Sequence, residues 1–307
     1  MGIVFGVSLF CSSSILLLGI YVFRVGERAS FDTRTNFLTL AATLSVWVFG
    51  SGVREFIPES LSRVAPNWIL IAAVFVPFYL KELSLSILEN KYEPSYKFRI
   101  LEYFLICYLV LSCLFSATID VKEEGISVYK PRFAYHVLIF YSFVNISISI
   151  FFLLRKAILH RGIVRVRSTL LMLGTLFGFI ISILFVYVLP FFGIFKGYLS
   201  VFGILIWVFL WSVAIIQYNA FESRSLYLKS RFVARRKLPL LSRFTYKPIL
   251  ILHSFVDPLD YRLQLRNSRA EVVKYIMDFH LSYQKNTNMK PSVRIRKITR
   301  IVERFLK

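Results

Sequence analysis

Charged residues inside apolar runs are the side chains of this sequence with chemistry to offer. Lys81 and Glu82 lie about two turns from the end of the apolar run 67–88, and Glu102 opens the run 100–119. A charge at mid-bilayer depth costs at least about 2.5–3.5 kcal/mol on insertion scales, so such residues point to pairing, proton movement or ligand binding. Lys81 can snorkel toward an interface, Glu82 can pair with it or with a neighbouring helix, and Glu102 can rest at headgroup depth. A structural ion pair and a ligand or ion site are the two readings these residues leave open. His136, near the start of the run 133–154, could sense external pH or bind a ligand or metal. No second His or Cys stands beside it at ligand spacing, so an interfacial histidine bonded to water or headgroups is the plainer reading. Cys11, Cys107 and Cys113 sit in apolar runs without CxxC or Cys/His spacing and are read as buried small hydrophobes, so neither a metal nor another cofactor is expected. No G-x-S-x-G, H-E-x-x-H, Walker A or paired-carboxylate motif occurs, which argues against hydrolase, metalloprotease or ATPase chemistry.

The elements that hold these residues follow from composition. The chain is 57% hydrophobic and 18% charged, with a mean hydropathy of +0.64, a balance suited to lipid and not to water. Runs long enough to span a bilayer fall near 3–23, 36–53, 67–88, 100–119, 133–154, 168–190 and 197–217. The expected fold is an all-α polytopic membrane protein, a seven-transmembrane helix bundle over 1–220 with a short α/β or helical tail over 221–307. The run 36–53 is the weakest, being short and holding Gly50 and Gly52. Pro77 should kink the third span, where a pocket can open in a broken helix. Gly174 and Gly178 form a GxxxG that permits close helix packing, within the chain or in an oligomer, while Asn145 and Asn36 are placed for hydrogen bonds between helices.

Loop charges orient the bundle. No Lys or Arg precedes the first run and Arg24 and Arg28 follow it, the pattern of a retained first helix with its N-terminus outside. Alternate connections hold eleven Lys and Arg against six, and the richer set includes Arg155, Lys156, Arg161, Arg165 and Arg167. That set, and the tail with it, belongs on the cytoplasmic side of an inner membrane.

The tail from Gln217 holds 20 of the 38 Lys and Arg and 6 of the 17 Asp and Glu, and so +14 of the net +21. Lys229, Arg231, Arg235, Arg236, Lys237 and Arg243 form a juxtamembrane cluster suited to anionic lipid headgroups, each worth about 1 kcal/mol near such a leaflet. Residues 249–256 and 261–266 are expected as two short strands around a turn at Asp257 and Pro258. Ser268 and Glu271 form a capping box for a helix reaching about Gln284, and 291–307 should be a basic amphipathic helix. With no helix-turn-helix or zinc-finger pattern, lipid or a protein partner ranks ahead of nucleic acid.

Four stretches carry a likeness to a known family: "RTNFLTLAATLSVWVFG", "NWILIAAVFVPFYL", the stretch from "RVRSTLLMLGTLF" through Pro190, and the exit "AIIQYNAFE". Together they resemble the N-terminal seven-transmembrane region of bacterial histidine kinases over residues 1 to about 222. The resemblance implies a sensor whose last helix drives a cytoplasmic kinase, with a phosphoacceptor His and an ATP-binding domain in the tail. In "HSFVDP", His253 and Pro258 have the spacing of a phosphoacceptor box, but Ser254 stands where an acidic residue normally follows. The stretch after Pro258 is shorter than the hundred or so residues an ATP-binding domain needs, and it has no Gly-rich phosphate loop. The expectation is therefore a non-enzymatic sensor or receptor-like protein working through its tail or a separate cytoplasmic signalling protein. Two alternatives stay open: a small transporter or membrane-embedded enzyme using Lys81, Glu82 or His136, and a membrane-tethered DNA-binding regulator.

Overall fold

The computed structural model describes residues 2–25, 29–61, 63–88, 96–121, 129–194, 197–216 and 240–286. It divides into two compact units, Met1–His160 with Arg167–Ile216, and Arg161–Val166 with Gln217–Lys307.

The helices of the first unit are α1 (Gly2–Val25), α2 (Phe31–Val53), α3 (Ala65–Leu88), α4 (Tyr96–Leu114), α5 (Phe133–Leu159), α6 (Ile163–Ile183) and α7 (Ser200–Ile216). The first four residues of α6 are assigned to the second unit. A π-helical turn, Leu184–Val188, and one further turn, Leu189–Phe191, extend α6. With that extension counted, six of the seven are long and apolar enough to cross a membrane. The remaining one, α4, has 19 residues, about 28 Å, but carries Lys97, Arg99 and Glu102. Its end falls short of the expected 119: Ser116 takes a left-handed backbone (φ 55°), and the chain turns into a hairpin of β1 (Ile119–Val121) and β2 (Tyr129–Pro131), paired antiparallel with Ile119 opposite Pro131. The second span is longer than its apolar run because Ser30 caps it, its Oγ accepting the Thr33 N–H at 3.2 Å.

Small residues set the closest approaches. A Cβ on Gly52 would lie 2.3 Å from Ser8 Cβ of α1, and one on Gly50 would lie 3.1 Å from the Ile69 side chain of α3, so the glycines that weaken the second run are helix contacts. Ser45 Oγ donates to Ser12 O at 2.9 Å between the same two helices, α1 and α2. On α6, Gly174 and Gly178 face Trp207 and Trp211 of α7, and a Cβ on Gly178 would come within 2.8 Å of Trp207 Cβ. Trp211 then donates its indole N–H to Leu171 O at 3.0 Å and to Thr175 Oγ1 at 3.1 Å. Cys11 and Cys113 are buried as expected, but Cys107 is exposed, on the face of α4 that also presents Tyr103, Phe104, Tyr108 and Leu111.

In the second unit the two expected strands are helices, α8 (Leu240–Val256) and α9 (Pro258–Asn286). A short Ile/Leu run does not separate strand from helix by periodicity, and Asp257 with Pro258 is a helix start: an Asp N-cap followed by Pro at N1. Asp257 Oδ1 accepts the Asp260 N–H at 3.3 Å. Ser268 and Glu271 fall inside α9 and do not begin it. The other oxygen of Asp257, Oδ2, accepts the Gly162 N–H at 2.8 Å and lies 3.8 Å from Arg165. Gly162 has φ +69°, and a Cβ there would press on the Asp260 carboxylate at 3.0 Å. His253 Nε2 bonds Asp260 Oδ2 at 2.9 Å, and Gln264 Nε2 donates to the same oxygen at 2.8 Å. The stretch 291–307 lies outside the described residues.

Two predictions follow from this packing. Gly178→Leu should destabilise the protein in detergent by about 1–3 kcal/mol in denaturant unfolding, because Trp207 cannot retreat from the added side chain, whereas Gly6→Ala, with open space at its Cβ, should cause no loss. Asp257 is held below its ordinary value of 3.8 chiefly by the Gly162 N–H, helped by the Asp260 N–H, Arg165 and His253 and opposed by burial. Because folding lowers this pKa, its stabilisation is complete above the ordinary value and is lost as pH falls through the lowered one. The Gly162 amide shift, followed by NMR in acid, should titrate with a midpoint below 3.8 and lose the titration in Asp257→Asn.

Candidate functional site

Proline has no N–H, so Pro190 withholds the donor that an α-helical ladder would bring to Val186 O. In hydrocarbon an orphaned carbonyl costs several kcal/mol. Here the helix widens to the π turn Leu184–Val188, and two phenols take the carbonyl: Tyr135 OH donates to Val186 O at 2.8 Å and Tyr129 OH at 2.9 Å. Tyr135 comes from the first turn of α5 and Tyr129 from β2, so the hairpin is part of the device. Asn67, fully buried near the start of α3, anchors β1 as another strand would: its Nδ2 donates to Ile119 O at 3.1 Å and its Oδ1 accepts the Ile119 N–H at 2.9 Å.

A cavity of about 90 Å³ reaches from this turn into the bundle. Its wall draws on α2 (Trp47), α3 (Ala73, Pro77), α5 (Tyr135, Ser142), α6 (Thr175, Gly178, Ser182) and α7 (Trp207). Most of the lining is aliphatic or aromatic, with hydroxyls at Ser142, Thr175 and Ser182 and a phenol at Tyr135. Pro77 is buried in this wall and leaves Ala73 O, also in the wall, without its α-helical donor. The Trp207 indole N–H is buried and has no hydrogen-bond partner among the described residues. Such a group in a native core calls for an explanation.

The charged candidates meet elsewhere. Lys81 pairs with both oxygens of Glu102 on α4, the two side chains being 12% and 13% exposed. Glu102 is thus the partner of Lys81, and Glu82 stays half-buried outside this pair. Beside the pair runs a groove of about 470 Å³ lined by Phe98, Phe140, Tyr141, Asn145 and Phe151 among others. The bond described for Asn145 stays within α5, from Nδ2 to Tyr141 O at 3.1 Å, and does not cross between helices. Lys81 lies 14 residues beyond Asn67, about 21 Å along α3, so the pair is well separated from the hairpin.

His136 is exposed and belongs to the tyrosine cluster: its Nδ1 lies 3.1 Å from Tyr187 OH, and its ring stacks on Phe191 at 6.5 Å. Among the described residues no group of three metal-ligating side chains occurs. Lys229, Arg231, Arg235, Arg236 and Lys237 lie outside the described residues. His253 is 2% exposed and held by Asp260, so its ring nitrogen is not offered to a phosphoryl donor. Sequence reasoning missed Trp207, Tyr129, Tyr135 and Asn67, since nothing local marks an aromatic that serves a distant carbonyl. The Val186–Pro190 spacing was the available signal, as it names the carbonyl that must find a donor from outside its helix.

Residues 7–224 match the family model described as the N-terminal 7TM region of histidine kinase. The chain belongs to that family. No curated protein and no solved structure matches it. As a seven-transmembrane sensory region of the histidine-kinase type, the chain is a multi-pass membrane protein whose first partner is the lipid bilayer. The match covers the membrane helices and stops before α8 and α9.

Lys81→Met or Glu102→Gln alone should leave a desolvated charge unpaired and destabilise the folded bundle by about 3–5 kcal/mol, whereas the double variant should recover most of the loss. Denaturant unfolding of the four proteins in one detergent measures this coupling; additive losses would show that the pair contributes nothing.

Proposed function

We propose that this chain is a non-enzymatic sensor of the inner membrane, with its N-terminus outside and its tail in the cytoplasm. In this reading a stimulus changes the packing of the seven-helix region, residues 1–220, and the tail, residues 221–307, or a separate cytoplasmic signalling protein bound to it, reads the change. Family membership supports the sensory class. The eleven-to-six distribution of Lys and Arg among alternate connections supports the orientation. The basic cluster Lys229–Lys237 would hold the tail's start against anionic headgroups.

The observation that carries the coupling is the make-up of α6. This one helix, Ile163–Ile183, contains Arg165, which faces Asp257 of the tail, and also Thr175, Gly178 and Ser182 of the cavity wall. A ligand that binds one rotation or tilt of α6 better than another shifts the balance between them, and Gly162 and Arg165 move with the helix. A transporter built on Lys81 finds less support, because Glu102 already neutralises that charge.

The test fills the cavity and reads the tail. In the full chain in lipid nanodiscs, Ala73→Leu should change deuterium uptake over residues 160–166 and 253–260 by at least about threefold. Unchanged uptake there, with the bundle still folded, would sink the coupling. Orientation is checked separately with thiol labels confined to one side of the membrane.

A further inference from the structure

The cavity beside Pro77 holds a buried donor that packing leaves unanswered, the Trp207 indole N–H. Trp207 and Trp211 stand one turn apart on α7, both with buried indoles. Trp211 gives its N–H to Leu171 O and Thr175 Oγ1; Trp207, in the cavity wall, has no acceptor among the described residues. Of the four hydroxyls in the wall two are committed, while Ser142 and Ser182 have no described bond. Thr175 donates to Leu171 O and accepts from Trp211, and Tyr135 donates to Val186 O. A water needs two to four polar partners, which Trp207, Ala73 O, Ser142 and Ser182 can supply only at scattered points of a wall that is mostly aliphatic and aromatic, so water is the competing occupant that the experiment below separates.

From the void and the unanswered donor together, we infer that the cavity binds an uncharged, mainly apolar small molecule, or the end of a longer one, that carries a single hydrogen-bond acceptor for the Trp207 N–H. The volume of about 90 Å³ is roughly three times the ~30 Å³ a water occupies in the liquid and below the ~150 Å³ that holds a benzene ring. By either comparison it takes about three or four non-hydrogen atoms, with the acceptor at the Trp207 side and the rest of a longer ligand extending beyond it. A charged group is excluded, because the lining presents no counter-charge. This names the ligand class of the site on which the sensor reading rests, but binding and output can fail independently.

The probes are butanone and its hydrocarbon isostere 2-methyl-1-butene, which replaces the carbonyl oxygen by a methylene. The readout is the set of indole N–H signals of the full-length protein, ¹⁵N-labelled in detergent. The chain has four tryptophans, assigned by single Phe substitutions. Trp47 also lines the cavity and reports occupancy by either probe. Butanone should move the Trp47 signal saturably and carry the Trp207 proton downfield as a new hydrogen bond forms. The isostere should move Trp47 without the downfield shift at Trp207. Trp207→Phe should weaken butanone, read at Trp47, by roughly two- to tenfold and leave the isostere unchanged. Ala73→Leu, which keeps the indole and fills the void, should abolish both responses even if Trp207→Phe does not fold. The inference is overturned if neither probe gives a saturable shift, if both move Trp207 alike, or if Trp207 keeps a water cross-peak that butanone does not displace. A bound probe that leaves the tail's exchange unaltered would count against the sensor reading and in favour of the site.

Discussion

A carbonyl inside the hydrocarbon has no water to turn to, and Val186 O is where this chain meets that constraint most directly. Pro190 removes its helical donor. The replacement comes from two phenols on other elements, which requires α5 to begin beside the π turn and the α4–α5 connection to fold as a hairpin that delivers Tyr129. The hairpin in turn requires Asn67 to answer both backbone groups of Ile119. Four segments distant in sequence are thereby held together by one missing N–H. The fold at this end of α6 is specified by hydrogen bonding more than by apolar burial, since between helices lipid offers no hydrophobic gain.

Two of the helix prolines, Pro190 and Pro77, make an instructive contrast. At Pro190 the freed carbonyl is answered twice; at Pro77 the freed carbonyl belongs to Ala73, in the wall of a void that also contains an unanswered indole N–H. Native cores leave few such groups, and those they leave cluster where a ligand or water completes them. Other contacts of the bundle are closely packed: Gly52 admits Ser8, Gly178 admits Trp207, and Trp211 bonds across to α6. What distinguishes the space next to Pro77 is that a proline-freed carbonyl and a buried indole N–H border it together.

Much of the architecture was legible in the sequence because lipid simplifies the rules. Length and hydropathy locate the helices, and Gly174 and Gly178 were identifiable as a close contact, which proves to be Trp207 within the same chain. What hydropathy cannot convey is partnership. Lys81 has a carboxylate next to it in sequence, at Glu82, and takes one twenty-one residues away, at Glu102. On a helix, residues i and i+1 point about 100° apart and do not face each other, so adjacency argued against the Lys81–Glu82 pair from the outset. The helical alternative for the tail holds and the two expected strands do not, for a related reason. "ILILHSFV" fits a strand or a helix equally well, and Asp-Pro serves both as turn and as helix start. The capping role of the Asp257 carboxylate decided between them, and only three-dimensional contact reveals it.

Asp257 also bears on how the tail could hold a regulatory state. One carboxylate caps α9 through Oδ1 and takes the backbone of Gly162 through Oδ2, so the start of α9 and the connection between α5 and α6 compete for no separate partner. Loosening either bond weakens the restraint on the other, because the same side chain must keep one rotamer to serve both. The His253–Asp260 pair adds a second tie across the Asp257–Pro258 junction, joining the last turn of α8 to the first of α9. His253 therefore has a structural reason to be where a phosphoacceptor spacing places it: its nitrogen fixes the angle between two helices, and phosphorylation there would first have to break that angle. The likeness of "HSFVDP" to a kinase box follows from helix capping chemistry, in which a buried His before an Asp-Pro corner bonds forward to the next helix. Phosphoryl transfer is not needed to explain it.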